Sequence, residues 1–255
     1  NGWYLDDGSL GGCIADLMHD LEIVRRVGPT IGLVLNDDKC EIVTDDVSVV
    51  DHLKTVMPSI RHVPRSEAVL LGAPVGDDKA VDTVLSSKLA VFSLLASRLT
   101  SLSAHDALFL LKNCLSAPKL LYTLRCAPCY RSTVLPQYDD VIRHTLKAIL
   151  NVELTDPIWT QASLPVSSGG LGVRLATDLA LPAFLSSVNG ATELTLKLLP
   201  SRLHDSAGIH DPVCVSACLE WQTRCNTAIP DSMKVGVQKA WDAPVVSLKF
   251  KELLS

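Results

Sequence analysis

Trp3-Tyr4-Leu5-Asp6-Asp7-Gly8-Ser9-Leu10-Gly11-Gly12 is the stretch on which the reading of this chain turns. Trp3-Tyr4-Leu5 has the aromatic and apolar character of a strand, and Asp6-Asp7-Gly8 that of a tight turn, Asp-Gly being a strong hairpin signal. Gly11-Gly12 then ends the returning strand. The expected hairpin carries consecutive carboxylates at its tip. Two-metal phosphoryl transfer needs such groups on rigid backbone, so that Mg²⁺ ions can stabilise both the entering and the leaving oxygen. Neighbouring side chains of a strand point to opposite faces, so one Asp of the pair is expected to face a site squarely, and Asp6 is the choice. An Asp-Asp-Gly alone is more often a solvated turn, so the weight falls on the segments C-terminal to it.

Outward from the hairpin, Ile14, Leu17, Met18, Leu21, Val24 and Val27 recur at helical spacing until Gly28-Pro29. Gly32-Leu33-Val34-Leu35 reads as a strand, Asn36-Asp37-Asp38 as a turn, and Cys40-Glu41-Ile42-Val43 as a second strand. A short helix with Val49, Val50, Leu53 and Val56 stops at Pro58, and residues 68–74 form a third apolar strand closed by Pro74. Beyond Asp77 the pattern becomes helical and stays so. Helices are expected over 81–102, from 103 or 104 to a break at Pro118, around 120–124 and over 133–150. Asp156-Pro157 reads as a cap followed by proline at the first helical position, 167–172 as a glycine-rich loop, and 176–189, 191–199, 211–228 and 232–254 as further helices. The expected class is α+β, with the boundary near Gly76-Asp77.

A chain of 255 residues with 47% hydrophobic and 20% charged residues can bury a large core, which excludes disorder as a description of the whole. No run of eighteen apolar residues occurs, and the richest segment, 107–124, is interrupted by Lys112, Asn113, Pro118 and Lys119, so no membrane partner is expected. The opening residues lack the basic flank and apolar core of a signal peptide, and they begin without Met inside a strand. That beginning leads us to expect a fragment of a longer polypeptide. The eight cysteines are scattered, mostly through apolar periodic segments, which suits an intracellular protein with reduced thiols. Net charge is −5, yet its distribution is uneven. Residues 1–78 hold 6 Lys/Arg against 14 Asp/Glu, residues 79–150 hold 9 against 4, and residues 151–255 hold 8 against 10. An acidic first third beside a basic middle third could set metal-binding carboxylates next to a phosphate-tracking surface.

Residues 3–12 resemble the Tyr-x-Asp-Asp catalytic hairpin of reverse transcriptases. After one helix, the segment Gly32-Leu33-Val34-Leu35-Asn36-Asp37-Asp38-Lys39 resembles the family's Gly-Leu-x-Leu-Asn-x-x-Lys palm motif. Leu70-Leu71-Gly72 in turn resembles its primer-grip hairpin. With the later Pro165-Val166-Ser167-Ser168-Gly169-Gly170-Leu171-Gly172, the layout is most similar to polymerases of non-LTR retrotransposons. The resemblance implies a partial palm over residues 1–76, a small antiparallel sheet with helices, then a helical thumb over 77–150 and a helical C-terminal extension over 151–255. It implies RNA-directed DNA polymerisation with Mg²⁺, an RNA template, a DNA primer and dNTPs. Asp6 and Asp7 would be metal ligands and Lys39 a general acid for the pyrophosphate leaving group. Tyr4, Leu71 and Gly72 would lie at the nucleotide and primer, while Arg98, Lys112, Lys119, Arg125 and Arg131 would track the nucleic-acid backbone. The family also needs a further Asp strand and fingers residues upstream of the hairpin, so this chain alone is expected to be inactive. The alternative is a relic palm–thumb module that binds nucleic acid or protein without catalysis.

Weaker constellations remain. Cys126-Ala127-Pro128-Cys129 has no second pair to complete a zinc site and reads as structural. His204, His210, Cys214 and Cys218 allow a zinc knuckle, although Cys214 and Cys218 also suit a helix interior. Gly169-Gly170-Leu171-Gly172 lacks the following Lys-Ser/Thr of a phosphate loop.

Overall fold

A computed structural model describes residues 2–4, 6–231 and 233–254. Asn1, Leu5, Ser232, Ser255 and the side chain of Tyr4 lie outside that description, so the Leu5 position of the expected hairpin does too. The chain divides into two compact units, Asn1–Ala68 and Val69–Ser255.

In the first unit β1 (Gly2–Tyr4) and β2 (Asp7–Ser9) pair antiparallel, with Trp3 opposite Gly8 and Tyr4 opposite Asp7. Asp6 lies between the strands, and Asp7-Gly8, expected in the turn, already belongs to β2. The Trp3 ring lies across Gly8, so close that a Cβ on Gly8 would sit 2.6 Å from it. Helix α1 (Ile14–Val27) follows as expected and runs into a 3-10 turn, Gly28–Ile31. The strand expected over Gly32 to Leu35 does not form. The Leu33 amide donates back to the Gly28 carbonyl at 3.0 Å, which turns the backbone away from an extended course. β3 (Glu41–Val43), α2 (Val47–Val56) and β4 (Arg61–Val63) make a β-α-β unit, and its helical crossover makes the β3–β4 pair parallel. The single antiparallel sheet expected for residues 1–76 is thus corrected to separate two-stranded pieces. Leu21, Leu53, Met57 and Ile60 form the small core of this unit.

The second unit opens with a hairpin of β5 (Val69–Leu70) and β6 (Ala73–Pro74), where one apolar strand was expected. β6 packs on α3 (Asp78–Leu99) and α5 (Ala117–Cys126), which puts the change of unit at Ala68/Val69 rather than at Gly76-Asp77. α4 (Ala104–Leu110) continues into a π-helical turn, Leu111–Leu115, closed by the Ser116 amide on the Leu111 carbonyl at 3.0 Å. Pro118 falls in the first turn of α5, where a missing amide costs little. α6 (Val134–Leu150) and α7 (Asp156–Ser163) come next. Thr155, not Asp156, occupies the cap position of α7, and the Asp156 carboxylate receives Arg143 at 2.8 Å instead. α8 (Ala176–Leu198) is one helix where two were expected, and it passes through Asn189-Gly190 without a break. α9 (Pro212–Cys225) and α10 (Gln238–Leu254) complete the unit, α10 starting later than residue 232. These elements bear out the α+β class in its coarse form, mostly helical with a few small sheets.

Two hydrophobic cores meet on α8. Leu179, Ala180 and Ala183 join a large core with Phe92, Leu111, Leu120, Leu135, Tyr138 and Ile142, so a single core crosses residue 150 without interruption. Leu181, Phe184 and Leu185 join a second core with Cys214, Trp221 and Trp241. α3 is long and apolar enough to cross a membrane by length and composition, although Asp82, Lys88 and several serines interrupt it. Its Leu85, Phe92, Ala96 and Leu99 are buried in the large core, and Phe92 stacks on Tyr138 at 4.5 Å between ring centroids.

α8 has no capping side chain of its own; the cap arrives from α6. Asp139, only 7% exposed, accepts the Ala176 amide at 2.7 Å, the Thr177 amide at 3.1 Å and the Thr177 hydroxyl at 2.6 Å. These bonds satisfy two of the amides a helix start leaves open. One residue further on, Asp178 is held by Arg224 at 2.8 Å and Lys249 at 2.5 Å, and Arg174 grips Asp242 through both terminal nitrogens at 2.7 Å. Burial pushes the Asp139 carboxyl up from 3.8 to about 6, outweighing the hydrogen bonds that favour its anion. Native Asp139 therefore keeps its proton over a range where the unfolded chain has released it. Stability falls as pH rises from 3.8 to about 6, by up to about 3 kcal/mol from this group. Denaturant unfolding of the parent and of Asp139→Asn should show the difference, parent minus variant, shrinking across that window. A pH-independent difference would contradict the assignment.

Candidate functional site

The carboxylates singled out in the sequence stand on the β1–β2 connection and its return strand. Asp6 occupies the turn itself, so strand alternation does not decide which Asp faces a site. Asp7 is the first residue of β2, and both are exposed. Two exposed carboxylates on one hairpin do not complete a Mg²⁺ centre. Among the described residues no group of three or more His, Cys, Asp or Glu is gathered in a way that could hold a metal. The residues present thus fit part of a two-metal ligand set and not the whole.

Lys39 ends a 3-10 turn, Asp37–Lys39, that Asn36 caps by accepting the Asp38 amide at 3.2 Å. The neighbouring Asp37 is engaged by Arg25 at 2.7 Å, and Lys39 is exposed with no ion pair among the described residues. Its ammonium is therefore accessible. No hydrogen bond or ion pair among the described residues joins it to the hairpin carboxylates.

Leu71 and Gly72, in the second unit, form the two-residue connection of the β5–β6 hairpin, at φ 49° and 80°. Positive φ at both central positions is the type I′ arrangement that suits the twist of a tight hairpin. Glycine adopts it freely; leucine does so at a cost. The Tyr122 hydroxyl donates to the Leu71 carbonyl at 2.5 Å and fastens the tip to α5, while the Leu70 and Leu71 side chains stay exposed.

Of the five cations expected on a nucleic-acid backbone, Arg98 and Lys119 are exposed, and Lys112 is half-buried in the π-helical turn with its stem over Gly172. The other two reach the C-terminal helices. Arg125 donates to the Gln238 side-chain carbonyl at 2.9 and 3.3 Å. Arg131 pairs with Glu220 at 3.2 Å, donates to Ser216 at 3.0 Å and lies over the Tyr130 ring.

The remaining motifs are structural. The amides of Gly169, Gly170, Leu171 and Gly172 donate to the carbonyls of Val166, Pro165, Ala162 and Leu164, so the glycine-rich loop keeps no amide there for a phosphate. Gly170 is required by packing, since a Cβ would sit 2.1 Å from the Leu164 carbonyl oxygen. Cys129 is fully buried with its thiol pushed up to about 12 by burial, which fits a core thiol. His204 bonds the Leu199 carbonyl at 3.0 Å and Cys214 lies in the second core, so the four zinc candidates do not assemble. Cys214 and Cys218 lie one turn apart on α9 and act on each other, raising the first thiol and lowering the second. Comparison with protein-family models, curated proteins and solved structures finds no match for this chain.

The type I′ geometry makes the turn testable. Leu71→Asn creates Asn-Gly, the preferred pair for this turn, and should raise the stability of the second unit by about 0.5–1 kcal/mol. Thermal or urea unfolding measures it. A clear loss would mean that the Leu71 side chain holds the tip through apolar contact.

Proposed function

We propose that this chain is part of an RNA-directed DNA polymerase of the non-LTR retrotransposon type. In this reading the β1–β2 hairpin carries part of the polymerase's metal-ligand set, and the helices after the β5–β6 hairpin follow the template–primer duplex. The observation that carries it is the register of the first hairpin. Tyr4 pairs with Asp7 and Asp6 stands between the two strands, with both carboxylates open to solvent. The β5–β6 tip adds support, because Leu71-Gly72 offers a main-chain edge at a turn where glycine allows close approach.

Each residue then has a task its surroundings permit. Asp6 and Asp7 supply fixed negative charge at a place free of competing partners among the described residues. Lys39 supplies an accessible ammonium for an anionic leaving group, with no ion pair among the described residues. Tyr4 would meet the primer terminus or incoming nucleotide, and Leu71 and Gly72 the primer strand. Arg98, Lys112 and Lys119 are left to meet phosphates.

Duplex binding tests this. Three contacts give a log–log salt slope of roughly −2.7, from about 0.9 per phosphate contact, with no dependence on base sequence. Fluorescence anisotropy of an RNA–DNA duplex titrated with the 255-residue chain at several salt concentrations measures it; absence of binding at low salt would remove the reading. Primer extension on poly(rA)/oligo(dT) is a second check. This reading expects none from this chain alone, because the two hairpin carboxylates do not make up the full ligand set.

A further inference from the structure

We propose that α9 and α10 mask two of the five duplex-facing cations, so that the chain binds nucleic acid in a restrained state which release of its C-terminal helices would strengthen. The inference rests on the polymerase reading, because it takes the backbone of a template–primer duplex as the ligand. It goes beyond that reading in assigning α9 and α10 the role of an internal competitor.

The geometry is that of an anion substitute. Glu220, on α9, places a carboxylate oxygen 3.2 Å from Arg131 Nε, and Ser216, one turn earlier on the same helix, takes a terminal nitrogen of the same guanidinium at 3.0 Å. The Tyr130 ring supports the guanidinium from below, 5.3 Å from its centroid. Gln238, the first residue of α10, receives Arg125 through two nitrogens on a single oxygen at 2.9 and 3.3 Å. Each is the forked contact that a phosphate would otherwise receive. Both arginines are exposed, and both partners are polar residues of the C-terminal helices outside the second core. Arg98, Lys112 and Lys119 have no such partner among the described residues. Exposed pairs of this kind are weak. They hold the arginines back without blocking them permanently.

The consequence is a difference in slope. The parent chain engages three cations. Glu220→Ala combined with Gln238→Ala frees two more, and the slope should steepen from roughly −2.7 to roughly −4.5. Between 50 and 200 mM salt the released variant should lose roughly tenfold more affinity than the parent, and it should bind more tightly at low salt. Adding Arg125→Ala and Arg131→Ala to the released variant should return the slope to roughly −2.7. All variants are compared by circular dichroism for helical content, and Glu220→Ala alone, expected to steepen the slope by about half as much, serves if the double variant does not fold. An unchanged slope after release, or a steepened slope that survives loss of the two arginines, would overturn masking while leaving the polymerase reading in place. No binding by the parent chain at low salt would remove both.

Discussion

The carboxylate of Asp139, buried between α6 and the first turn of α8, holds the larger unit in register. α8 contributes to two cores at once, Ala180 and Ala183 on one side and Leu181 and Leu185 on the other. A helix buried on both sides has little room for a solvated end. Its opening amides need a partner inside the protein, and α6 supplies one. The ion pairs Asp178–Arg224, Asp178–Lys249 and Arg174–Asp242 then attach α9 and α10 around the same end. Taking a charge into such a place costs free energy, which appears as the upward shift of the Asp139 carboxyl.

How much of this was legible in the sequence depended on the range of the determining contact. α1, α3 and α6 follow from apolar spacing: α3 and α6 bury one face along most of their length, and α1 buries Leu21 with its other apolar positions half-buried or exposed. The strand expected at Gly32-Leu33-Val34-Leu35 failed because one hydrogen bond, Leu33 to Gly28, closes a turn that composition does not register. The parallel β3–β4 pairing was hidden because pairing direction is set by the crossover between strands, not by the residues within them. Asp139 did leave a signal. It stands on the stripe with Leu135, Tyr138, Ile142 and Leu146, where an acid is out of place unless something receives it.

The candidate site divides along the same line. Asp6, Asp7, Leu71 and Gly72 were legible because a hairpin is a local device and its turn residues announce themselves. The expected turn residues Asp7 and Gly8 nevertheless fall in β2, where Gly8 lies opposite Trp3 and only Asp6 of the expected Asp-Asp-Gly stands between the strands. The five cations could be counted but not sorted. Two of them are engaged by Glu220 and Gln238, which lie 89 and 113 residues away in sequence.

The second core has an optical consequence. Trp221 and Trp241 meet edge to face, with ring centroids 4.8 Å apart and planes at 73°. The Trp221 indole donates to the Trp241 carbonyl at 3.0 Å, and the Trp241 indole donates to the Val235 carbonyl at 2.7 Å. Two indoles so close and so fixed form an asymmetric chromophore pair, and asymmetry of this kind gives near-ultraviolet circular dichroism only while the packing is rigid. α9 and α10 carry one partner each, so the molecule contains its own gauge of whether those helices are docked, readable without any label.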